Sequence, residues 1–353
     1  MDVLVLYVSL EHAGKLDELA RFVSASFPGA VLVGGTSASL LAGDREWEDG
    51  ATMAVVAGHL GAGVSAESLH IPDENAGERA LRAVDWDGVR GALMVSDPFS
   101  ADVDRDLRTL ERIAPSVPVV GGILAGGTSA GAHRLWTEHG VYEGGSVMLL
   151  FRGAVELVPV VSQGVVPMGE PVIVMQRRGH VIDAFDQGNP LAFLQSLLAE
   201  YPRAEREKIN RALVLGVGVE SARVDEGTDF VLGEIIGVDP KTGSLAVAAM
   251  IEDYQVVRFM RRDPEYARED LSRQLLLAGS SRSGRTVRAA FSFVSGERGM
   301  QFFRRPDHDA GAISELVEGG AHVGVFCGSE VGPVGGRALV QSFSACAALL
   351  VER

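Results

Sequence analysis

Residues 5–35 read VLYVSLEHAGKLDELARFVSASFPGAVLVGG, and residues 92–122 read ALMVSDPFSADVDRDLRTLERIAPSVPVVGG. A displacement of 87 positions carries residue 5 onto residue 92 and lays the two stretches together without a gap. Val5-Leu6-Tyr7-Val8-Ser9 falls on Ala92-Leu93-Met94-Val95-Ser96. Leu16, Ala20, Val23 and Phe27 fall on Val103, Leu107, Leu110 and Ala114, a spacing that traces one apolar face of a helix. Val33-Gly34-Gly35 falls on Val120-Gly121-Gly122. After an insertion of eight residues, Glu48 to Met53 falls on Glu143 to Met148. Each copy therefore predicts strand, helix, strand ending in Gly-Gly, loop, strand, with units at about 3–58 and 91–153.

The pentapeptide GGTSA occurs at 34–38 and again at 126–130. The register makes Gly121-Gly122 the counterpart of Gly34-Gly35, so the second GGTSA is displaced by five residues and its identity is partly coincidence. Glycines at a strand end let a ligand approach the backbone. Two such ends, each with Thr and Ser following, predict a binding rim rather than two empty turns. Gly127-Thr128-Ser129-Ala130-Gly131 also satisfies G-x-S-x-G. That motif serves catalysis only at a strand-to-helix turn. GGILA before it is not a strand, and no helical period follows.

Downstream, Val155 to Phe185 reads as two or three strands. Asn189-Pro190 is a helix cap followed by Pro at the first helical position, ahead of Leu191, Leu194, Leu197 and Leu198. RALVLGVGVE, DFVLGEIIGVD and SLAVAAMIE are successive strands, and Asp263-Pro264 opens a helix ended by Gly279. VRAAFSFVS, a short helix from Asp309 to Val317 closed by Gly319-Gly320, AHVGVFCGSE and ALVQSFSACAALLV give a third, divergent copy. The helix at 189–200 is a candidate member of a fourth. The fold class is α/β (α+β): tandem strand–helix–strand–strand units forming mixed sheets flanked by helices, in two domains, 1–155 and 156–353.

Composition sets the outer limits. The chain has 353 residues, 46% of them apolar and 22% charged, which suits a globular protein with a sizeable core. A net charge of −15 argues against a nucleic-acid footprint. No apolar run is long enough for membrane insertion, the N-terminus has no basic region of a secretory signal, and only Cys327 and Cys346 are present, so a reducing cytoplasm is the simplest setting. The eight His show no metal-ligand spacing, and nothing calls for a cofactor.

Together the motifs resemble the two-part FIST family, named for F-box and intracellular signal transduction proteins. The N-terminal part is carried by Val33-Gly34-Gly35-Thr36-Ser37-Ala38, Asp97-Pro98-Phe99, Gly121-Gly122, and Gln163-Gly164 with Pro167-Met168-Gly169. The C-terminal part is carried by Val257 to Asp263, Glu269-Asp270-Leu271, Glu297-Arg298-Gly299, and Gly328-Ser329-Glu330-Val331-Gly332-Pro333. The chain departs from the family at Phe291 to Val294, where a Cys is usual, and at Gln341, where a His is frequent. The resemblance implies a non-catalytic intracellular sensor of a small polar ligand such as an amino acid, signalling through a separate partner protein. The expected ligand cleft is lined by Gly34, Gly35, Thr36, Ser37, Gly121, Gly122, Arg298, Cys327, Gly328 and Glu330 where Gly-ended strands of the two halves meet. Arg298 would pair with an anionic group. The competing reading is a hydrolase or transferase using Ser129 or Cys327; a His within reach of either would support it.

Overall fold

A computed structural model describes residues 1–72, 76–219, 229–281, 284–317 and 321–352. In the first copy β1 (Val3–Ser9) is buried along its whole length, as a run of apolar residues covered on both faces should be. The chain crosses through a 3-10 turn and α1 (Leu16–Ser26) and returns as β2 (Val31–Ser37), parallel to β1. Leu16, Leu19 and Val23 of α1 pack on Leu4, Leu6, Val8 and Leu32. A hairpin of β3 (Leu40–Ala42) and β4 (Arg45–Trp47) follows; then β5 (Met53–Gly58) runs antiparallel to β1, and β6 (Val64–Ile71) leaves for the next copy. After α2 (Gly77–Ala83) the second copy repeats the plan: β7 (Val89–Ser96), α3 (Val103–Ile113), a parallel β8 (Val119–Leu124), the hairpin β9 (Leu135–Thr137) and β10 (Gly140–Tyr142), an antiparallel β11 (Ser146–Gly153), and β12 (Val155–Ser162). Asp102 caps α3 by accepting from Arg105 N at 3.1 Å.

Residues 163–270 form a compact unit of another kind. It holds β13 (Val165–Pro167), β14 (Val172–Arg178), β15 (Val181–Phe185), α4 (Pro190–Ala199), α5 (Arg203–Ala212), β16 (Leu213–Gly218), β17 (Phe230–Val238), β18 (Leu245–Ala248), β19 (Val256–Arg262) and the start of α6 (Pro264–Ser281). The order β19-β14-β15-β18-β17-β16 closes on itself through β16–β19, making a barrel with β13 added to β19. Val174, Ile182, Leu215, Val217, Leu245, Val247 and Phe259 fill its core. Asn189 caps α4 as expected, its Oδ1 accepting from Ala192 N at 3.1 Å. Every strand pair described in this unit is antiparallel. The fourth copy suspected around 189–200 is therefore absent from the described residues: the helix belongs to the barrel.

The third copy is β20 (Val287–Ser295), the short helices α7 (Gly299–Phe303) and α8 (His308–Ser314), a long β21 (Ala321–Val334) parallel to β20, β22 (Arg337–Gln341) and an antiparallel β23 (Ala345–Glu352). The glycine pair 319–320 lies outside the described residues. The three copies form the second compact unit, residues 1–162 with 271–353. Its strands make a five-stranded sheet, β10-β9-β2-β1-β5, and a larger one along the path β12-β23-β20-β21-β8-β7-β11-β6. Val5, Tyr7 and Val33 of the first share a core with Leu93, Val95, Phe291 and Phe293 of the second.

The copies interlock. The first copy's hairpin pairs through β3 with β21 of the third, the second copy's hairpin pairs through β9 with β2 of the first, and the hairpin formed by β21 and β22 pairs with β8 of the second. Likewise β6 pairs with β11, and β12 with β23. Each copy thus lends a hairpin to a different neighbour in a cyclic pattern. Compact units and the expected boundary at 155–156 divide the chain differently, because the last 83 residues, 271–353, return to the unit that holds residues 1–162.

The strands do not stop at the glycine pairs. β2 runs on to Ser37 and β8 to Leu124. Gly34 and Gly121 are needed inside the sheet because a Cβ at either would run into the carbonyl oxygen of the neighbouring strand, that of Leu6 and of Met94. Gly324 meets Ser292 in the same way. Ladder partners agree: Leu6 with Gly34, Met94 with Gly121, Ser292 with Gly324. The first strands of the two N-terminal copies therefore match at a displacement of 88, one more than the sequence alignment used, while the second strands match at 87.

Candidate functional site

The shared register assigns equivalent positions at the C-terminal ends of the strands. Ser9, Asp97 and Ser295 correspond, each donating its backbone N–H to the residue just before the last strand of its copy: Thr52, Gly145 and Ser344. Thr36, Ile123 and Phe326 correspond two residues beyond Gly34, Gly121 and Gly324. Each faces the incoming hairpin at Arg134, Ser329 and Ser39 in turn, Thr36 N donating to Arg134 O and Phe326 N to Ser39 O, both at 3.0 Å. The residues before those are His133, Gly328 and Ala38.

Two of the three ends are chemically plain: Ile123, Gly328 and Ser295 at one, Phe326, Ala38 and Ser9 at another. The third gathers Thr36, His133 and Asp97. It exists because of the eight-residue insertion. In the first copy only residues 38–39 join β2 to its hairpin, whereas residues 125–134, containing the second GGTSA, join β8 to its own. That loop delivers His133 to the end of β2.

Thr36, Asp97 and His133 are 0%, 1% and 1% exposed. Thr36 Oγ1 lies 3.2 Å from His133 Nδ1 and accepts from Arg134 N at 3.1 Å. Asp97 Oδ2 accepts from Phe99 N at 3.0 Å and from Ser100 Oγ at 2.7 Å, holding the DPFS turn. Phe99, 44% exposed, stacks on His133 with ring centroids 6.4 Å apart. Burial pushes the His133 pKa down, with the nearby Asp97 charge opposing. Among the described residues, Asp97 Oδ1 and His133 Nε2 have no hydrogen-bond partner, though both are buried. Buried polar atoms are normally satisfied, so these two orphans single out this strand end as the candidate site.

The residues expected to line a cleft are mostly gathered, all within the repeat unit, but their side chains serve the protein. Ser37 Oγ donates to Phe326 O at 2.6 Å. A Cβ at Gly122 would strike Cys327 Sγ, and Glu330 pairs with Gly122 across β8 and β21. Glu330 Oε2 accepts from Ser344 N and Oγ at 2.9 and 2.8 Å. Gly35 packs under Leu135, and Gly328 sits exposed at a bulge in β21. The Arg298 fork, expected to face an anionic ligand, faces Asp309: Nε to Oδ2 at 2.7 Å and Nη2 to Oδ1 at 2.9 Å, with both side chains 1% exposed. Cys327 is buried, and burial together with Glu330 raises its thiol pKa well above normal, so the thiolate is suppressed. Ser129 is exposed in a turn where Ala132 N donates to Ser129 O, not at a strand-to-helix elbow. Among the described residues no hydrogen bond joins it to a histidine, and His133 Nδ1 is taken by Thr36.

Asp97 and His133 were not among the expected site residues. An alignment fixed at 87 places Ser9 on Ser96 and hides the Ser9–Asp97 correspondence, and no spacing links Asp97 to His133.

A family model for the FIST N domain matches residues 2–187, and one for the FIST C domain matches residues 190–333. The chain belongs to the FIST family. FIST domains are sensory domains of signal transduction. An uncharacterized protein of Mycobacterium tuberculosis is 32% identical over 352 residues, covering 99% of this chain and 91% of its own length. Another, of Mycobacterium bovis, is 30% identical over 352 residues, 99% of this chain and 90% of its own. Among the described residues no His, Cys, Asp and Glu group is arranged to hold a metal ion, and no helix is long and apolar enough to cross a membrane.

Proposed function

We propose that this FIST protein is a non-catalytic sensor that binds a small polar metabolite, with amino acids among the first to try, at the end of β2, and passes the signal to a separate partner protein. One observation carries the reading. Of three strand ends related by the internal repeat, a single one gathers a buried threonine, histidine and aspartate, and two of their atoms, Asp97 Oδ1 and His133 Nε2, have no hydrogen-bond partner among the described residues. The loop that brings them together is an insertion found in that copy alone. Thr36, from the expected rim, belongs to this candidate site, whereas Ser37 donates to Phe326 and Glu330 accepts from Ser344.

A hydrolase would need an activated nucleophile, and both candidates lack one: Cys327 is buried with a raised pKa, and Ser129 has no histidine partner among the described residues. The test is a thermal-shift screen of the purified protein against amino acids and common metabolites. A ligand at about a hundred times its Kd adds about 2.7 kcal/mol of stability. The reading requires a hit that Asp97→Asn and His133→Ala weaken. Esterase turnover that disappears in Ser129→Ala would replace it with the enzyme reading.

A further inference from the structure

Each copy ends on a strand antiparallel to its first: β5, β11 and β23. The outer edges of two of these are taken. β6 lies antiparallel on β11, and β12 antiparallel on β23, each over eight residue pairs. In both cases the added strand follows the copy before, since β6 comes after β5 and β12 after β11. A helix accompanies it. Leu81 of α2 clusters with Met148 and Leu150 of β11, and Leu271 and Leu275 of α6 cluster with Ala347 and Leu349 of β23. Among the described residues nothing does this for β5, which pairs with β1 alone and ends its sheet.

The difference shows in exposure. Val55 stands three residues after Thr52, as Met148 does after Gly145 and Ala347 after Ser344, so the three positions correspond. Met148 and Ala347 are buried, whereas Val55 is 56% exposed and Met53, on the same face, 54%. The strand is nonetheless held in place, because Ala54 and Val56 on its other face belong to the core between the two sheets.

Free strand edges are usually protected by charge, proline or brevity, since their unpaired N–H and C=O groups invite another strand. The other strands at sheet ends follow that rule. β6 carries Glu67, β12 carries Glu156 and Pro159, and β10 and β13 have three residues each. β5 reads Met53-Ala54-Val55-Val56-Ala57-Gly58, six residues without charge or proline.

We infer that the outer edge of β5 is the interface with a second copy of this chain, β5 pairing antiparallel with its own mate across a two-fold axis at Val55. This continues between subunits the antiparallel edge pairing that already joins the copies within one. Centring the pair on Val55 keeps every side chain on its own face of the sheet. It sets Val55 beside its mate and Met53 beside the smaller Ala57, so the strand is complementary to itself. Two chains of net charge −15 repel one another, and an uncharged strand is where they can meet. A six-residue strand makes a small interface, so the dimer should come apart on dilution.

Sedimentation of the purified full chain over a range of concentrations is the test. The expected result is twice the mass of one chain at high concentration, falling to the mass of one chain on dilution. Val55→Lys, which places a charge on the exposed side of the edge, should abolish the dimer and leave the circular dichroism and Tm unchanged. Met250→Lys, at an exposed apolar residue of the other compact unit, should leave the dimer intact. Hydrogen exchange of the unaltered protein gives a reading that needs no variant: amides of β5 should slow as concentration rises, while those of β10, at the opposite end of the same sheet, should not. A single-chain mass at every concentration overturns the inference and leaves the edge to a strand from a different protein. A dimer that survives Val55→Lys, or one whose formation leaves exchange in β5 unchanged, overturns it equally.

Discussion

Burying Arg298 beside Asp309 removes two ions from water, which the protein tolerates because the guanidinium fork meets both carboxylate oxygens. Burial alone would raise the Asp309 pKa; the charge and hydrogen bonds of Arg298, joined by those of His308, together outweigh it and hold the carboxyl low. Arg298→Ala should therefore cost about 3–5 kcal/mol in denaturant unfolding, the usual result of stranding one buried charge. Unchanged stability with reduced ligand affinity would return Arg298 to the binding site. The first copy's hairpin contributes a second carboxylate to this region. Glu46 Oε1 accepts from Asp309 N and Ala310 N at 2.8 and 3.0 Å, while Oε2 is buried with no partner among the described residues. Burial, with the charges of Asp309 and Glu48, raises its pKa from 4.5 to about 7. A raised carboxylate pKa means the folded state holds the proton more tightly than the unfolded one. The contribution of Glu46 is thus fully favourable below pH 4.5 and is lost as pH rises to about 7. Glu46→Gln, which stays neutral, should raise Tm at pH 8 and change it little at pH 5, with a gain on the order of 2 kcal/mol at the higher pH. Equal effects at both values would show that Glu46 does not titrate in this range. Neither residue's role was legible beforehand. The sequence offers Glu297-Arg298-Gly299 as a motif, but the partner of Arg298 stands eleven residues on in a helix broken by Arg304 and Asp307, both in the left-handed region.

At the level of strands and helices, the account depends on exchange of hairpins between copies. Leu41 belongs to the first copy yet is fully buried against Val294, Ala310, Phe326 and Ala345 of the third. Leu41→Ala should cost about 2–5 kcal/mol, as cavity-forming changes in cores do. Hydrogen exchange should localise the loosening to β20 and β21 rather than to β1 and β2. Faster exchange confined to the first copy would argue against the interlocked arrangement. The unit itself was readable from the sequence, because an apolar strand, an amphipathic helix and a second strand recur at fixed spacing. The meaning of the glycines was not. Gly34 and Gly121 read as strand ends, whereas they are mid-strand positions where a neighbouring carbonyl leaves no space for Cβ. Steric need from a partner strand leaves the same letter in the sequence as a turn does. The candidate site was partly visible through Thr36, and through Asp97-Pro98-Phe99 as a family mark. His133 was hidden because an inserted loop, not a periodic element, carries it to β2.

On the scale of the whole molecule, the chain leaves the repeat unit at residue 162 and re-enters it at residue 271. Residues 163–270 enclose their own apolar core inside a closed ring of strands. That segment expressed alone should unfold cooperatively with β-type circular dichroism, and a non-cooperative, broad transition would show that it depends on the rest of the chain. Strand patterning changes at the boundary expected from the sequence, 155–156, whereas the compact units part at 162–163. The return at 271 was not legible, since a third copy with two short helices in place of one long one repeats the plan without its periodicity. The claim on which the functional account turns is that the ligand sits where the first and second copies meet. A crystal structure of the protein with a hit from the metabolite screen tests it most directly. The account predicts ligand atoms within hydrogen-bond distance of His133 Nε2 and Asp97 Oδ1. Ligand bound instead in the groove of about 470 Å³ formed by α3, β12 and the tip of the β21–β22 hairpin, with Asp97 and His133 untouched, would contradict it.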